Sequence, residues 1–347
     1  MMTHKNARGL GEITRRNFVG TAAAGAGGAL AVPFVLRGAR GDVPAHVLKM
    51  TMADVRTHPV YPVLNKFAAD VLHRTGGAVE IKVYGAGELG SQTNGLTGIQ
   101  TGITDLVCTT TGLIETIYPQ VAVLDLPYLF KTRHEAEIVL DGPVGRQLFG
   151  LMPAKGIYGL SWGHWGWRSF TDVSKSVPEP EDMEGAKVRV QPGAIYGATY
   201  KTLHAVPVVV DISETYLALS EHAVDAVELP LISVVAGKFY EVAKHVSLTN
   251  FAYNAGAILA GKRSLDRLSP AYQTAIKEAA LAISPFWRTT VSQKTDDAIA
   301  FVKTKGCTVA NVDQPAYAKA LQPIYAQFGP VVGEALLKQI QDQIGAG

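Results

Sequence analysis

Short apolar runs of strand character alternate with segments of helical period along most of this chain, and that alternation confines it to an α/β architecture with largely parallel strands. Residues 47–53 are β-leaning. Residues 59–74 have helical spacing, with Val63, Phe67, Ala68, Val71 and Leu72 on one face and Gly76-Gly77 as a stop. Residues 78–84 alternate as a strand, a Gly-rich turn and a polar helix follow, and residues 105–109 make a third strand. This β-α-β-α-β order predicts a doubly wound lobe. A buried apolar stretch over 121–130, a helix over 133–149 and a short strand over 156–162 come next. Strands are then predicted at 186–190, 206–210 and 224–229, with helices at 195–203, 214–222 and 231–244 between and after them. A long apolar strand covers 251–260. Ser269-Pro270 starts a helix that runs to about residue 304, bent at Pro285 and long enough to cross more than one lobe.

At 347 residues the chain suits two lobes rather than one small core. Hydrophobic residues make up 47% and charged residues 18%, a globular composition. The formal charge of +2 is uneven: residues 1–45 hold six basic and two acidic groups, which leaves 26 basic against 28 acidic in the remainder. That near-neutral body argues against a nucleic-acid or membrane-surface partner. The first 45 residues read as an export signal, with Arg15-Arg16 as a twin-arginine pair and Phe18 two places on. Residues 19–36 carry no charge but are mostly Ala and Gly, too weakly apolar for a membrane span. Cleavage near residues 43–45 would start the mature chain near His46 and place it in the periplasm. Cys108 and Cys307 could pair in that compartment or stay free; their spacing does not decide.

Three motifs point toward enzymes and carry little weight. Gly85, Gly87 and Gly90 match the dinucleotide fingerprint, but they follow the second strand, and Asp105 comes 15 residues later, inside a strand. Gly159-Leu-Ser161-Trp-Gly163 matches a nucleophile elbow, yet the residues after it make a poor helix start. The nine histidines include no i,i+4 pair suited to zinc. No cofactor and no metal is expected.

Two arginines are candidates for binding, although on the residues alone Arg189 also reads as an exposed strand residue and Arg168 as a structural contact stacked on an aromatic ring. Arg168 ends a run with Trp162, Trp165 and Trp167, and Arg189 alternates with Val188 and Val190. A guanidinium stays charged at working pH and grips a carboxylate through two parallel hydrogen bonds. From Gly166-Trp167-Arg168 onward the chain resembles the binding proteins of tripartite ATP-independent periplasmic (TRAP) transporters, the DctP family. The likeness continues through Pro180-Glu-Asp182-Met-Glu-Gly185-Ala-Lys187-Val-Arg189, Pro207 to Leu219, and Asp225-Ala226-Val-Glu228-Leu229-Pro230. Gly87-Glu-Leu89-Gly90 and Leu126-Pro-Tyr-Leu-Phe130 are similar to family segments upstream.

The resemblance implies a two-lobed periplasmic-binding-protein fold of type II kind, each lobe a sheet flanked by helices, with a long helix spanning both. It implies a division into residues 46–166 with 255–294 and residues 167–254 with 295–347. It implies a binding protein rather than an enzyme, with Arg189 bridging a ligand carboxylate, Arg168 adding a second contact, and Trp167, Ile212, Glu228 and Leu229 beside them. Its partners would be a small organic acid and the membrane subunits of a TRAP transporter. Leu229 stands where the family frequently has asparagine and Ala226 where it has glycine. With three tryptophans nearby, the lost amide favours an acid with an apolar or aromatic body. Two alternatives stay open: an exported NAD(P)-dependent oxidoreductase, and a binding protein serving an ATP-driven importer or a sensor kinase.

Overall fold

The computed structural model describes residues 44–345, so the export segment lies outside the described residues. Nine strands form one sheet: β1 His46–Thr51, β2 Val79–Tyr84, β3 Leu106–Thr110, β4 Ile157–Asp172, β5 Lys187–Val190, β6 Val206–Val209, β7 Ala226–Pro230, β8 His245–Gly261 and β9 Thr308–Ala310. The order is β2-β1-β3-β8-β4-β7-β5-β6, with β9 beside β8. β1 pairs parallel with β2 and β3, and β5 pairs parallel with β6 and β7. These two parallel wings are the sheets expected of two lobes. β4 and β8, 16 and 17 residues long, run antiparallel to each other through the middle and join the wings into a single sheet.

Apolar side chains cover both faces. On β5, Val188 and Val190 enter one buried cluster; on β3, Leu106 and Cys108 enter the other while Val107 enters the first. This is the two-residue period of a strand with helices on each side. Helix α1, Val60–Arg74, buries Val63, Phe67 and Val71 as its spacing predicts, whereas Leu72 stays exposed. The long helix is Pro270–Thr304: the Ser269 side chain accepts from the Tyr272 N–H, Pro270 opens the first turn, and Pro285 lies inside. Its 35 residues give a rod of roughly 50 Å. It packs on β4, on α1 in one wing and on helix Leu231–Ala236 in the other.

Glycine lets that helix approach. Gly163 of β4 pairs across to Gly256 of β8. A Cβ on Gly163 would overlap the Trp287 indole of the long helix, and one on Gly256 would overlap the Trp165 ring. Trp287 in turn donates its indole N–H to the His164 carbonyl at 2.9 Å.

Several elements differ from expectation, each for a local reason. The helix over 133–149 is two helices, Arg133–Asp141 and Pro143–Leu151, because Gly142 is extended and Pro143 has no N–H to continue the ladder. The strand at 156–162 runs on to Asp172, straight through the aromatic segment; side chains buried on both faces hid its period. The helix at 231–244 stops at Ala236, and Lys238 takes a left-handed conformation. The C-terminal helix Glu334–Gly345 packs on Arg133–Asp141 and Pro143–Leu151, elements assigned by sequence to the other lobe. Gly159 to Gly163 sit inside β4 with no turn into a helix, so that segment is no nucleophile elbow. Cys108 and Cys307 are both buried and unpaired.

Two buried carboxyls also join the wings, one of them through the Tyr196 ring that packs on Arg168. Glu115 Oε1 accepts from the Ile195 N–H at 3.3 Å, at the start of helix Ala194–Thr202. Asp125 Oδ1 accepts from the Thr111 and Tyr196 hydroxyls at 2.7 Å each. Burial, aided by Asp125, pushes Glu115 up to about 8, and burial pushes Asp125 up to about 7 against the pull of those two hydroxyls. The folded chain therefore holds protons that the unfolded chain has released above pH 4.5, and the contribution of these two groups to stability falls as pH rises from about 4.5 to 8.

Two predictions follow from packing and charge. Gly163→Ala should lower stability by about 1–3 kcal/mol, read from urea unfolding, because the long helix must shift to admit a methyl group. Glu115→Gln should flatten the decline of melting temperature between pH 5 and 8; an unchanged slope would place the titration elsewhere.

Candidate binding site

The carboxyl ends of the parallel strands in the two wings converge, the usual place for a ligand in open α/β sheets. Two hydrogen bonds cross between them. The Thr110 hydroxyl, at the end of β3, donates to Gln191 Oε1 just after β5 at 2.8 Å. The Gln92 N–H, first in helix α2, Gln92–Thr101, donates to Asp211 Oδ2 just after β6 at 2.9 Å. Beneath these contacts lies a narrow cavity of about 10 Å³, walled by Asp54, Gln92, Thr109, Thr110 and Trp165 among others. That is room for about one water molecule. A second cavity of about 180 Å³ shares Ala53 and Asp54 with it and is lined on its far side by Ile212, Ser213 and Tyr216.

Both arginines are buried to 1% exposure, but their electrostatic states are opposite. Arg168 on β4 is fully engaged. Its Nε pairs with Glu228 Oε2, and its Nη2 donates to Glu228 Oε1 at 2.6 Å and to the Glu228 carbonyl at 2.8 Å. Its Nη1 donates to Asn254 Oδ1 at 2.8 Å, and the guanidinium lies 4.6 Å from the centre of the Tyr196 ring. Burial works against its charge, but the Glu228 carboxylate outweighs burial and holds it ionised.

Arg189 on β5 has one hydrogen bond, from Nε to the Val210 carbonyl at 2.9 Å, and its buried Nη2 has no partner. Burial, only partly offset by Glu228, lowers it to about 10, so it remains a cation at neutral pH. The Val210 contact sets it next to Asp211, which grips Gln92 of the cavity wall, and the charges of Asp54 and Asp211 reach it. It is thus a buried positive group with one unpartnered nitrogen, which lines neither cavity itself but stands next to residues that do.

The other residues expected at the site divide. Glu228 is fully buried and serves Arg168. Ile212 is half-buried and lines the 180 Å³ cavity. Leu229 is buried in the apolar cluster that contains Trp165 and Trp287. Trp167 packs edge-on against Tyr253 at 5.3 Å and is on the wall of neither cavity. Trp162 stacks on Phe149 at 4.1 Å and donates to the Gly145 carbonyl, a packing role. Of the three only Trp165 lines either of these two cavities, while Trp162 lines a separate cleft with Phe149 and Arg288. Sequence reasoning missed Asp54, Gln92, Thr110, Gln191 and Asp211. Asp211 lies within the Pro207 to Leu219 segment; Asp54, Thr110 and Gln191 share only a position at or just after a strand end, and Gln92 opens helix α2.

Residues 50–330 match the model of the DctP family, described as bacterial extracellular solute-binding protein, family 7. A solute-binding protein of Verminephrobacter eiseniae is 33% identical over 80% of this chain and 83% of its own length. A TRAP periplasmic solute-binding protein from Polaromonas, solved with D-erythronate, superimposes with a TM-score of 0.83 at 29% identity, covering 85% of this chain and 98% of that one. The sugar acid binding protein of Advenella mimigardefordensis, solved with galactonate, gives 0.85 at 27% identity, covering 88% and 99%.

The unequal state of the two arginines separates stability from binding. Arg168→Ala should destabilise the fold by about 3–5 kcal/mol, because it strands the buried Glu228 carboxylate. Arg189→Ala should leave stability unchanged or raised, since it removes a buried charge that lacks an anion. Chemical denaturation of both variants would test the pair, and equal losses would refute the distinction.

Proposed function

The chain belongs to family 7 of the bacterial extracellular solute-binding proteins, and from that premise we propose that it captures a small organic carboxylate by a salt bridge from Arg189 and delivers it to the membrane subunits of a TRAP transporter. The observation that carries this is the unpartnered Nη2 of a 1%-exposed guanidinium whose neighbour Asp211 is bonded to Gln92 of the cavity wall. A buried cation without an anion is costly, and a ligand carboxylate supplies the anion in a low dielectric, where the pairing is strongest.

Arg168 has a supporting part. Its charge is met by Glu228, so it shapes and rigidifies the wall and is not the primary ligand grip. The relatives solved with D-erythronate and galactonate support a small acid as cargo. The protein acts by binding and performs no chemistry on the ligand. It works in the periplasm.

The cycle is a hinge motion between two lobes, the wings with their helices. The cavity at Asp54 is too small for a multi-carbon acid, so the wings part to admit it and the Thr110–Gln191 and Gln92–Asp211 bonds re-form as they close. Closure buries the acid, and the closed form docks on the membrane subunits. Affinity is expected at micromolar or tighter, about −8 kcal/mol or better.

A thermal-shift panel of organic acids identifies the cargo. Calorimetry on Arg189→Ala should then show a loss of about 3 kcal/mol or more in binding that acid. Unchanged affinity would remove Arg189 from the site.

A further inference from the structure

Helix Pro143–Leu151 and the long helix both lie against β4, and they part over it to leave a cleft of about 580 Å³. It shares no lining residue with the two cavities at the strand ends. The long helix turns one stripe toward this cleft: Lys277, Leu281, Ser284, Pro285 and Arg288, spaced i, i+4, i+7, i+8 and i+11. Such a stripe is ordinarily apolar throughout. Here it starts and ends on a cation, about 16 Å apart along the axis. Leu281, between them, is 65% exposed. Across the cleft the Phe149 ring lies parallel to Trp162 at 4.1 Å. Gly159 permits this, because a Cβ there would overlap the Phe149 ring. Phe149 is thus a fixed, half-buried aromatic platform on the cleft wall.

Charge on the walls is unbalanced, with Arg146, Lys277 and Arg288 facing Asp141 alone. Arg288 gives both Nη groups to the Asp141 carboxylate at 2.6 and 2.7 Å, which closes that pair. Arg146 donates to the Asp141 carbonyl at 2.9 Å, and Lys277 lies 5.5 Å from the centre of the Tyr158 ring. Neither Arg146 nor Lys277 makes a salt bridge among the described residues. We propose that this cleft is a second ligand site, separate from the cargo cavity, and that it takes a flat aromatic monoanion. The rings stack on Phe149 and cover the Leu281–Pro285 edge of the long helix, and the anion meets Arg146. The volume suits a small ligand, and the apolar walls require an apolar body. A polyhydroxylated acid fits poorly, because the polar wall groups are already spent. The Ser284 hydroxyl donates to the Trp162 carbonyl at 2.7 Å, and the Trp162 indole N–H donates to the Gly145 carbonyl at 3.2 Å. A cationic ligand would meet three like charges. The proposal does not depend on Arg189.

The test compares two dyes with a matched ring system, anilinonaphthalene sulfonate and the neutral phenylnaphthylamine, by fluorescence titration of the folded protein at pH 7. The sulfonate should brighten and saturate at one site per chain, with a micromolar Kd. The neutral dye should bind roughly tenfold or more weakly. Leu281→Glu places a carboxylate at an exposed helix position and should weaken the sulfonate about tenfold or more. Arg146→Gln should weaken the sulfonate to a similar degree and leave the neutral dye unchanged. Circular dichroism and melting temperature confirm that both variants are folded. Arg189→Ala should leave both dyes unaffected. The second site is overturned by absence of brightening, by equal affinity for the two dyes, or by a sulfonate affinity that neither Leu281→Glu nor Arg146→Gln moves. Loss of sulfonate binding in Arg189→Ala would place the dye in the cargo cavity and overturn it equally.

Discussion

One carboxylate is shared unequally between two guanidiniums, and the character of the site follows from that. Glu228 on β7 lies between β4, which carries Arg168, and β5, which carries Arg189. It forms a two-pronged bond with Arg168 and reaches Arg189 only through space. One buried pair is closed and one buried cation is left over. A core this well packed has no reason to retain an unpaired charge for stability alone, since burial penalises it. The leftover charge is the one the proposed function gives to a ligand carboxylate.

The scaffold makes that preparation possible by holding the wings in register. β4 and β8 pass through both wings, and the long helix braces them across the glycine pair Gly163 and Gly256. The strand ends then meet at one edge, where the chain supplies short polar residues from both sides: Thr110 against Gln191, and Gln92 against Asp211. Such bonds are individually modest, about 0.5–1.5 kcal/mol each. That suits contacts that break and re-form in the proposed cycle. The heavier interactions, the Arg168–Glu228 pair and the tryptophan packing, lie behind them and need not move.

Polarity decides what the enclosure can accept. Trp162 and Trp167 spend their surfaces on Phe149 and Tyr253, and Leu229 joins an apolar cluster, so little of the aromatic segment faces the cavities. The narrow cavity is walled by Asp54, Gln92, threonines and one indole beside Val107 and Cys108, and the larger one by Val55, Ile212 and Phe239 with His58, Ser213 and Tyr216. Side-chain direction along β4, bulged between His164 and Trp167, turns neighbours in the tryptophan run to opposite uses.

The sequence by itself determined the alternation of strands and helices, the Ser269-Pro270 start of the long helix, and the two arginines as the residues to watch. These are local properties: period, cap chemistry and a motif of adjacent residues carry them. It could not show that β4 runs from Ile157 to Asp172, because a strand covered on both faces loses its alternation. Nor could it rank Arg168 against Arg189, since the choice depends on where a carboxylate 60 residues from one and 39 from the other comes to rest. Only the tertiary structure decided that. Charge compensation acts through distance and burial, and neither quantity exists until the strands are side by side.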